Sequence, residues 1–308
     1  MPIFKIENQK LNSIKEISIK LEKDLQEITE KNLDIIFGLK FVSSEFSLQG
    51  FRIDSLAFDE ETKSFVIIEY KRDRSFTVID QGFSYLSLML NNKDSFVLEY
   101  ARKFKIDIDN IKIDWSQSRI LFLANSFTAH QQNAINFRDL PIELWEVKKY
   151  DNKTILYNQV EAGSGNESIK TISSKSKTIE NVSREIKKNS IDDHFKNNWN
   201  KSRELFVLIS DKILNLDVRI KENANPKDYI GYKIGNANVC AIHSYKAKLK
   251  LDLIRVDKED LKDPENKVIK IPWKERRWPK LCSYEIKEIN DIDYALFLIR
   301  QVYERFYK

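Results

Sequence analysis

Residues 51–72 read FRIDSLAFDEETKSFVIIEYKR. Apolar residues alternate with others over 51–58, a polar segment DEETKS follows, and a second run, FVIIEYK, spans 65–71. This is the pattern of two strands joined by a turn. Side chains alternate between the two faces of a strand. Asp54, Leu56 and Phe58 therefore share one face of the first strand, and Phe65, Ile67, Glu69 and Lys71 one face of the second. If the turn sets Phe58 opposite Phe65, antiparallel register brings Asp54 opposite Glu69, with Lys71 one step further along the same face. Two carboxylates so placed repel, and burying them is costly unless something compensates. A divalent cation would do so. Oxygen donors without His or Cys suit Mg2+ or Mn2+. Such an ion activates water and polarises a phosphoryl oxygen, and a lysine beside it stabilises developing charge. The residues point to metal-dependent phosphodiester hydrolysis. The competing reading is a plain Asp54–Lys71 or Glu69–Lys71 ion pair on a solvated sheet face. E-x-K by itself says little, since it recurs at Glu61, Glu146, Glu185, Glu265 and Glu285. Only the Glu69 copy has an aspartate at hairpin distance; for Glu146 the nearest upstream one, Asp139, is too close.

The totals agree with an ordinary globular chain. At 308 residues there is room for two domains, and 42% hydrophobic content supports a core. No apolar run approaches the roughly 20 residues of a membrane span, and the N-terminus has no signal-peptide core, so a cytoplasmic location and no membrane partner are expected. Cys240 and Cys282 alone make neither a disulfide framework nor a Cys-rich zinc site, and His130, His194 and His243 are scattered. The net charge of +5 is carried by the C-terminal part, the side a polyanion would prefer.

Along the chain, Ile14, Ile17, Leu21, Leu25, Ile28 and Ile35 recur near the helical period, predicting a helix over 10–37 ended by Gly38. Residues 40–47 suit a strand. VIDQGFSYLSLML (78–90) predicts an amphipathic helix capped by Ser75 or Thr77, and SFVLEYARKF fits helix or strand. SRILFLAN (118–125) is a buried strand, Thr128 caps the helix TAHQQNAINF, and IELWEVKKY and KTILYNQV form strands around a turn at Asp151-Asn152. The Ser-, Gly-, Asn- and Lys-rich segment 162–189 reads as a linker, helical toward its end. Beyond it come a helix from Asp192, the strand-like runs VRIKE, YIGYKIG, NVCAIHSY, KAKLKLDLIRV and KVIKIPW, and a closing helix over DIDYALFLIRQVYERFY.

RIDSLAFDEETKSFVIIEYKR followed by IDQGFSYL resembles the PD-(D/E)XK nuclease superfamily, most nearly its branch of RecB-like and archaeal mismatch-endonuclease-like domains. That branch shows an Asp strand, an E-x-K strand, and Q-x-x-x-Y on the next helix. Gln81 and Tyr85 match the last element, on one helix face. A glutamate on the first core helix is matched by Glu22, with Glu27 as the alternative. Ile53 stands where the proline of the family's name would be. The resemblance covers roughly residues 10–160. It implies that Asp54, Glu69 and the carbonyl of Tyr70 hold Mg2+ or Mn2+, that Lys71 positions the attacking water, that Glu22 completes the outer site, and that Gln81 and Tyr85 orient the lysine, the metal shell or the phosphate. Arg52, Arg72 and Arg74 flank the site and suit phosphate contacts; plain surface charge accounts for them equally.

In the C-terminal part, Lys246, Lys248 and Lys250 alternate with Ala247, Leu249, Leu251 and Leu253, predicting a sheet with one lysine-striped face. IPWKERRWPK interleaves Trp273 and Trp278 with Lys274, Arg276, Arg277 and Lys280, a mixture suited to phosphate tracking and base stacking. Solubility lysines on an edge strand and a Trp-anchored loop explain the same residues. The region also resembles a small domain of unknown function that often follows such nuclease domains and is labelled "predicted transport protein"; no membrane segment supports that label. The expectation is an α/β chain: a nuclease-like mixed sheet flanked by helices over 1–161, a linker over 162–189, and an α+β accessory domain with an antiparallel sheet over 190–308. Its expected activity is Mg2+-dependent DNA hydrolysis, endonuclease ahead of exonuclease, in repair, restriction or phage defence. RNA is not excluded, and a homodimer is left open. The rival is a non-catalytic nucleic-acid-binding or protein-interaction module on the same fold.

Overall fold

In the computed structural model, which describes residues 2–19, 22–71, 77–137, 139–161, 167–169, 176–275 and 278–308, the 51–72 stretch supplies central strands of a mixed sheet. β5 (Phe51–Asp59) and β6 (Ser64–Lys71) are antiparallel with Phe58 opposite Phe65, the register the apolar alternation demands. β6 then runs parallel to β7 (Arg119–Ala124), and β7 parallel to β8 (Ile142–Tyr150). β4 (Lys40–Leu48) pairs with β5 on one side; β3 (Glu16–Ile17) and β9 (Ile155–Gln159) pair with β8 on the other. Among the described residues the sheet order is β3-β8-β7-β6-β5-β4, with β9 on β8.

Parallel neighbours need crossover connections. α3 (Val78–Asn91) and α4 (Lys93–Phe104) connect β6 to β7, and α5 (Ala129–Ala134) connects β7 to β8. One sheet face packs Leu56, Phe58, Phe65 and Ile67 against Phe83, Leu86, Met89 and Phe96 of α3 and α4. The other packs Ala57, Val66, Ile68 and Tyr70 against Leu25 of α1 (Glu22–Glu30) and Leu33 of α2 (Leu33–Phe37). Buried on both faces, β6 reads as a near-continuous apolar run. The chain is thus α/β, a mixed sheet flanked by helices, followed by a separate antiparallel sheet with helices.

Three expectations are corrected. Residues 10–17 are not helical: β1 (Ile3–Glu7) and β2 (Lys10–Ile14) form a hairpin around Asn8 and Gln9, both with positive φ, and β3 pairs with β8. β-branched Ile14 and Ile17 suit either period locally, and strand pairing decides between them. The helical part ends at Gly38 as expected, in the left-handed region with its N–H on the Asp34 and Leu33 carbonyls. Within 162–189, α6 (Lys177–Glu185) belongs to the core, with Ile169, Ile179, Val182 and Ile186 buried in the same cluster as Phe83 and Leu86. Its few apolar residues are spaced to meet that surface.

The chain divides into two units, Met1–Lys188 and Asn189–Lys308. In the second, among the described residues, β10 (Lys221–Asn223), β11 (Ile230–Ile234), β12 (Ala237–Ser244), β13 (Leu249–Ile254), β15 (Leu281–Ile286) and β14 (Ile269–Lys270) form an antiparallel sheet in that order. α7 (Asn200–Leu214) and α8 (Asp291–Phe306) cover one face through Leu205, Ile209, Leu298 and Ile299. The helix expected from Asp192 starts only at Asn200, after a 3-10 turn over Ile191–His194. That later start is the third correction. β15, LCSYEI, is a strand not named among the runs read from sequence, Ser283 and Glu285 diluting its pattern, and it pairs with both β13 and β14.

Candidate active site

The site forms where the β5–β6 ladder gives out. Backbone pairing runs from Asp59/Ser64 to Ser55/Ile68. One residue on, side chains take over. The Asp54 N–H donates to the Glu69 carboxylate at 3.3 Å, and the Tyr70 N–H donates to Asp54 Oδ2 at 3.0 Å. Each carboxylate thus accepts from the other's strand, which holds the two acids face to face. Lys71 Nζ lies 3.3 Å from Glu69 Oε2. The sheet alternation read from sequence is therefore what gathers Asp54, Glu69 and Lys71.

Burial sets their electrostatics. Glu69 is 1% exposed. Desolvation first, and the Asp54 charge second, push its carboxyl up to about 7, against a smaller opposing pull from Lys71. Desolvation also raises Asp54, opposed by the Tyr70 N–H and by Lys71. One lysine does not neutralise the pair.

α3 brings the next residues. Val78, Gly82, Phe83, Tyr85, Leu86 and Met89 form its buried side. Gly82 lets the helix approach the sheet closely: a Cβ there would meet Ile142 Cδ1 at 2.5 Å. Tyr85 donates to the Arg52 carbonyl at 3.1 Å. Burial and the charges of Glu69 and Asp54 push its phenol up to about 12, and Gln81 shares a hydrogen bond with it. Thr77 is the N-cap of α3 by position, without a side-chain cap bond. The Tyr70 ring turns to the opposite sheet face, where its hydroxyl lies 3.1 Å from Ser55 Oγ.

Glu22 opens α1, one turn before Gln26 on the same helix stripe, and is exposed. Gln26 was not singled out from sequence. It is buried, and its amide donates to the Asp54 carbonyl at 2.8 Å. The signal was present: Leu25, Gln26 and Thr29 form the buried stripe, and a glutamine in such a stripe demands partners. Arg52 is exposed and pairs with Glu45 at 2.8 Å. Arg72, Arg74, Ser75, Arg276 and Arg277 lie outside the described residues.

In the second unit the expected lysine-striped strand begins only at Leu249, so Lys250 lies in β13 while Lys246 and Lys248 precede it, and carboxylates offset the charge. Lys250 pairs with buried Asp252 at 3.2 Å, Asp252 also holds His243 Nε2 at 2.8 Å, and Lys248 pairs with Glu285. Lys246 is exposed in the turn before β13. Trp273 is exposed, whereas Trp278 packs against Tyr229.

Among the described residues no group of three or more His, Cys, Asp or Glu side chains is gathered to hold a metal ion. Mg2+ does not require one. It keeps several waters and is commonly held by one or two carboxylates. Buried Glu69 and half-buried Asp54, mutually repelling and under-compensated by one lysine, fit such an ion.

No family model matches the chain. A Haemophilus influenzae protein described as "Uncharacterized protein" is 38% identical over 303 residues, covering 98% of this chain and 99% of its own. The chain belongs to the family of that protein. Because the match runs nearly end to end, both units are part of what the family shares. The solved structure titled "Structure of EndoMS-dsDNA2 complex" is 18% identical with a TM-score of 0.21, over 37% of this chain and 40% of that one, and a likeness of that size carries no argument. Among the described residues no helix is long and apolar enough to cross a membrane.

Proposed function

We propose that the chain is a metal-dependent nuclease acting on DNA, with its site at the end of the β5–β6 hairpin. The observation that carries this reading is the reciprocally bonded pair of half-buried Asp54 and buried Glu69 with Lys71 beside it. Asp54 and Glu69, with the Tyr70 carbonyl, would hold Mg2+ or Mn2+. The bound ion supplies Lewis-acid polarisation of a phosphoryl oxygen and a more acidic water.

The remaining work falls to the chain. Lys71 lies close enough to the pair to hold a water against a phosphorus centre and to stabilise charge developing on the phosphate. Tyr85 keeps its proton at neutral pH, so it serves as a donor and not as a base. It and Gln81 fix the side of the site facing α3. Glu22 suits a role through solvent, being exposed at the start of α1. Arg52 can contact backbone phosphate beside the site once it leaves Glu45.

The test is cleavage of supercoiled plasmid, single-stranded DNA and RNA with Mg2+ or Mn2+, comparing wild type with Lys71→Ala and Asp54→Ala. Cleavage by wild type and loss in both variants is expected. Equal cleavage by all three would remove these residues from the chemistry. Salt-sensitive, metal-independent DNA binding without cleavage would favour a binding module instead.

A further inference from the structure

β4 pairs with β5 on either side of Asp54, through Ser44 with Ser55 and Phe46 with Ile53, but toward β6 the ladder ends at Ser55 and the position of Asp54 there depends on bonds made by side chains. Two of them, the Asp54 N–H to the Glu69 carboxylate and the Tyr70 N–H to the Asp54 carboxylate, use oxygens of the acid pair itself. A cation drawn between the acids competes for those same oxygens. The third bond does not. Gln26 Nε2 reaches the Asp54 carbonyl at 2.8 Å from α1, on the sheet face opposite the carboxylates.

Gln26 is itself held. Its nitrogen also lies 3.0 Å from Glu30 Oε1 and 3.1 Å from Ser44 Oγ, and Ser55 Oγ donates to the same Glu30 oxygen at 2.6 Å. Ser44 and Ser55 are cross-strand partners on β4 and β5. One amide therefore ties α1, β4 and β5 together one residue from the site. At 8% exposure this amide is shielded from water, and loss of a shielded donor leaves acceptors unpaired.

We infer that Gln26 is a positioning residue for the Asp54–Glu69 pair: by clamping the Asp54 backbone from the far face of the sheet, it sets how tightly the pair holds a divalent cation. This rests on the metal-dependent reading of the site. Outer groups that orient metal-binding side chains typically change metal affinity by roughly 10–100-fold when removed.

The test is direct titration of the full chain with Mn2+, following the free-ion signal by electron paramagnetic resonance. It compares wild type, Gln26→Met, Gln26→Asn, Tyr157→Phe and Glu69→Gln. Gln26→Met keeps length without donors; Gln26→Asn keeps the amide but withdraws it, and serves if the first variant does not fold. Tyr157→Phe removes a different polar contact of α1, to Thr29 at 2.9 Å, without touching Asp54. The expected result is Mn2+ affinity about tenfold or more weaker in the Gln26 variants, and unchanged in Tyr157→Phe. Wild-type affinity in a folded Gln26 variant, or equal weakening in Tyr157→Phe, overturns the positioning role while leaving the site intact. Failure of wild type to hold Mn2+, or full binding by Glu69→Gln, overturns the metal site and the inference with it.

Discussion

At the scale of the residue, Glu69 is the most consequential group. Its carboxyl sits at about 7 in the fold, against an ordinary 4.5. Between those values the folded chain holds a proton that the unfolded chain releases. Stability therefore falls as pH rises through that window, by about 3 kcal/mol from this group alone. The raised Asp54 acts in the same direction. Denaturant unfolding at pH 5 and pH 8 without divalent ions should show this loss in wild type and a smaller one in Glu69→Gln. Mg2+ at pH 8 should restore stability in wild type but not in that variant. Lys71→Met keeps the stem and removes the ammonium; cleavage should drop by about 10²–10³-fold, as for loss of one preorganised charge-stabilising donor. Single-turnover rates on plasmid check it.

At the scale of the element, the site depends on how closely α3 lies on the sheet. Gly82 stands between Gln81 and Tyr85, and its approach to Ile142 leaves no room for a branched side chain. Gly82→Val should destabilise by about 1–3 kcal/mol through overpacking. It should also lower cleavage more than folding loss explains, because Tyr85 moves with the helix. Urea midpoints alongside cleavage rates separate the two effects. Elements with a single consistent pattern were legible: β6, α3 and the Thr128-capped α5 lie where their residues predict them. Ile14 and Ile17 were not, since a few isoleucines three apart satisfy helix and strand alike until β3 finds β8. SFVLEYARKF resolved to α4 because Phe96, Tyr100 and Ala101 meet the core together on a helical face.

At the scale of the whole molecule, each unit has its own apolar cluster and its own sheet. Fragments 1–188 and 189–308 should each unfold cooperatively by circular dichroism. Mn2+ binding should stay with 1–188. A shorter fragment ending at 161 should be markedly less stable, because it omits Ile169, Ile179, Val182 and Ile186 from the core.

The 51–72 stretch alone determined the hairpin, its register and hence the meeting of Asp54 with Glu69, because strand alternation and antiparallel pairing are local rules. It could not determine Gln26, whose role comes from a helix 28 residues away in the chain. Nor could composition reveal that α6 is core, or that Lys248 and Lys250 face carboxylates. Those facts depend on which surfaces meet, and only the folded chain brings distant partners within the few ångströms over which packing and hydrogen bonds act.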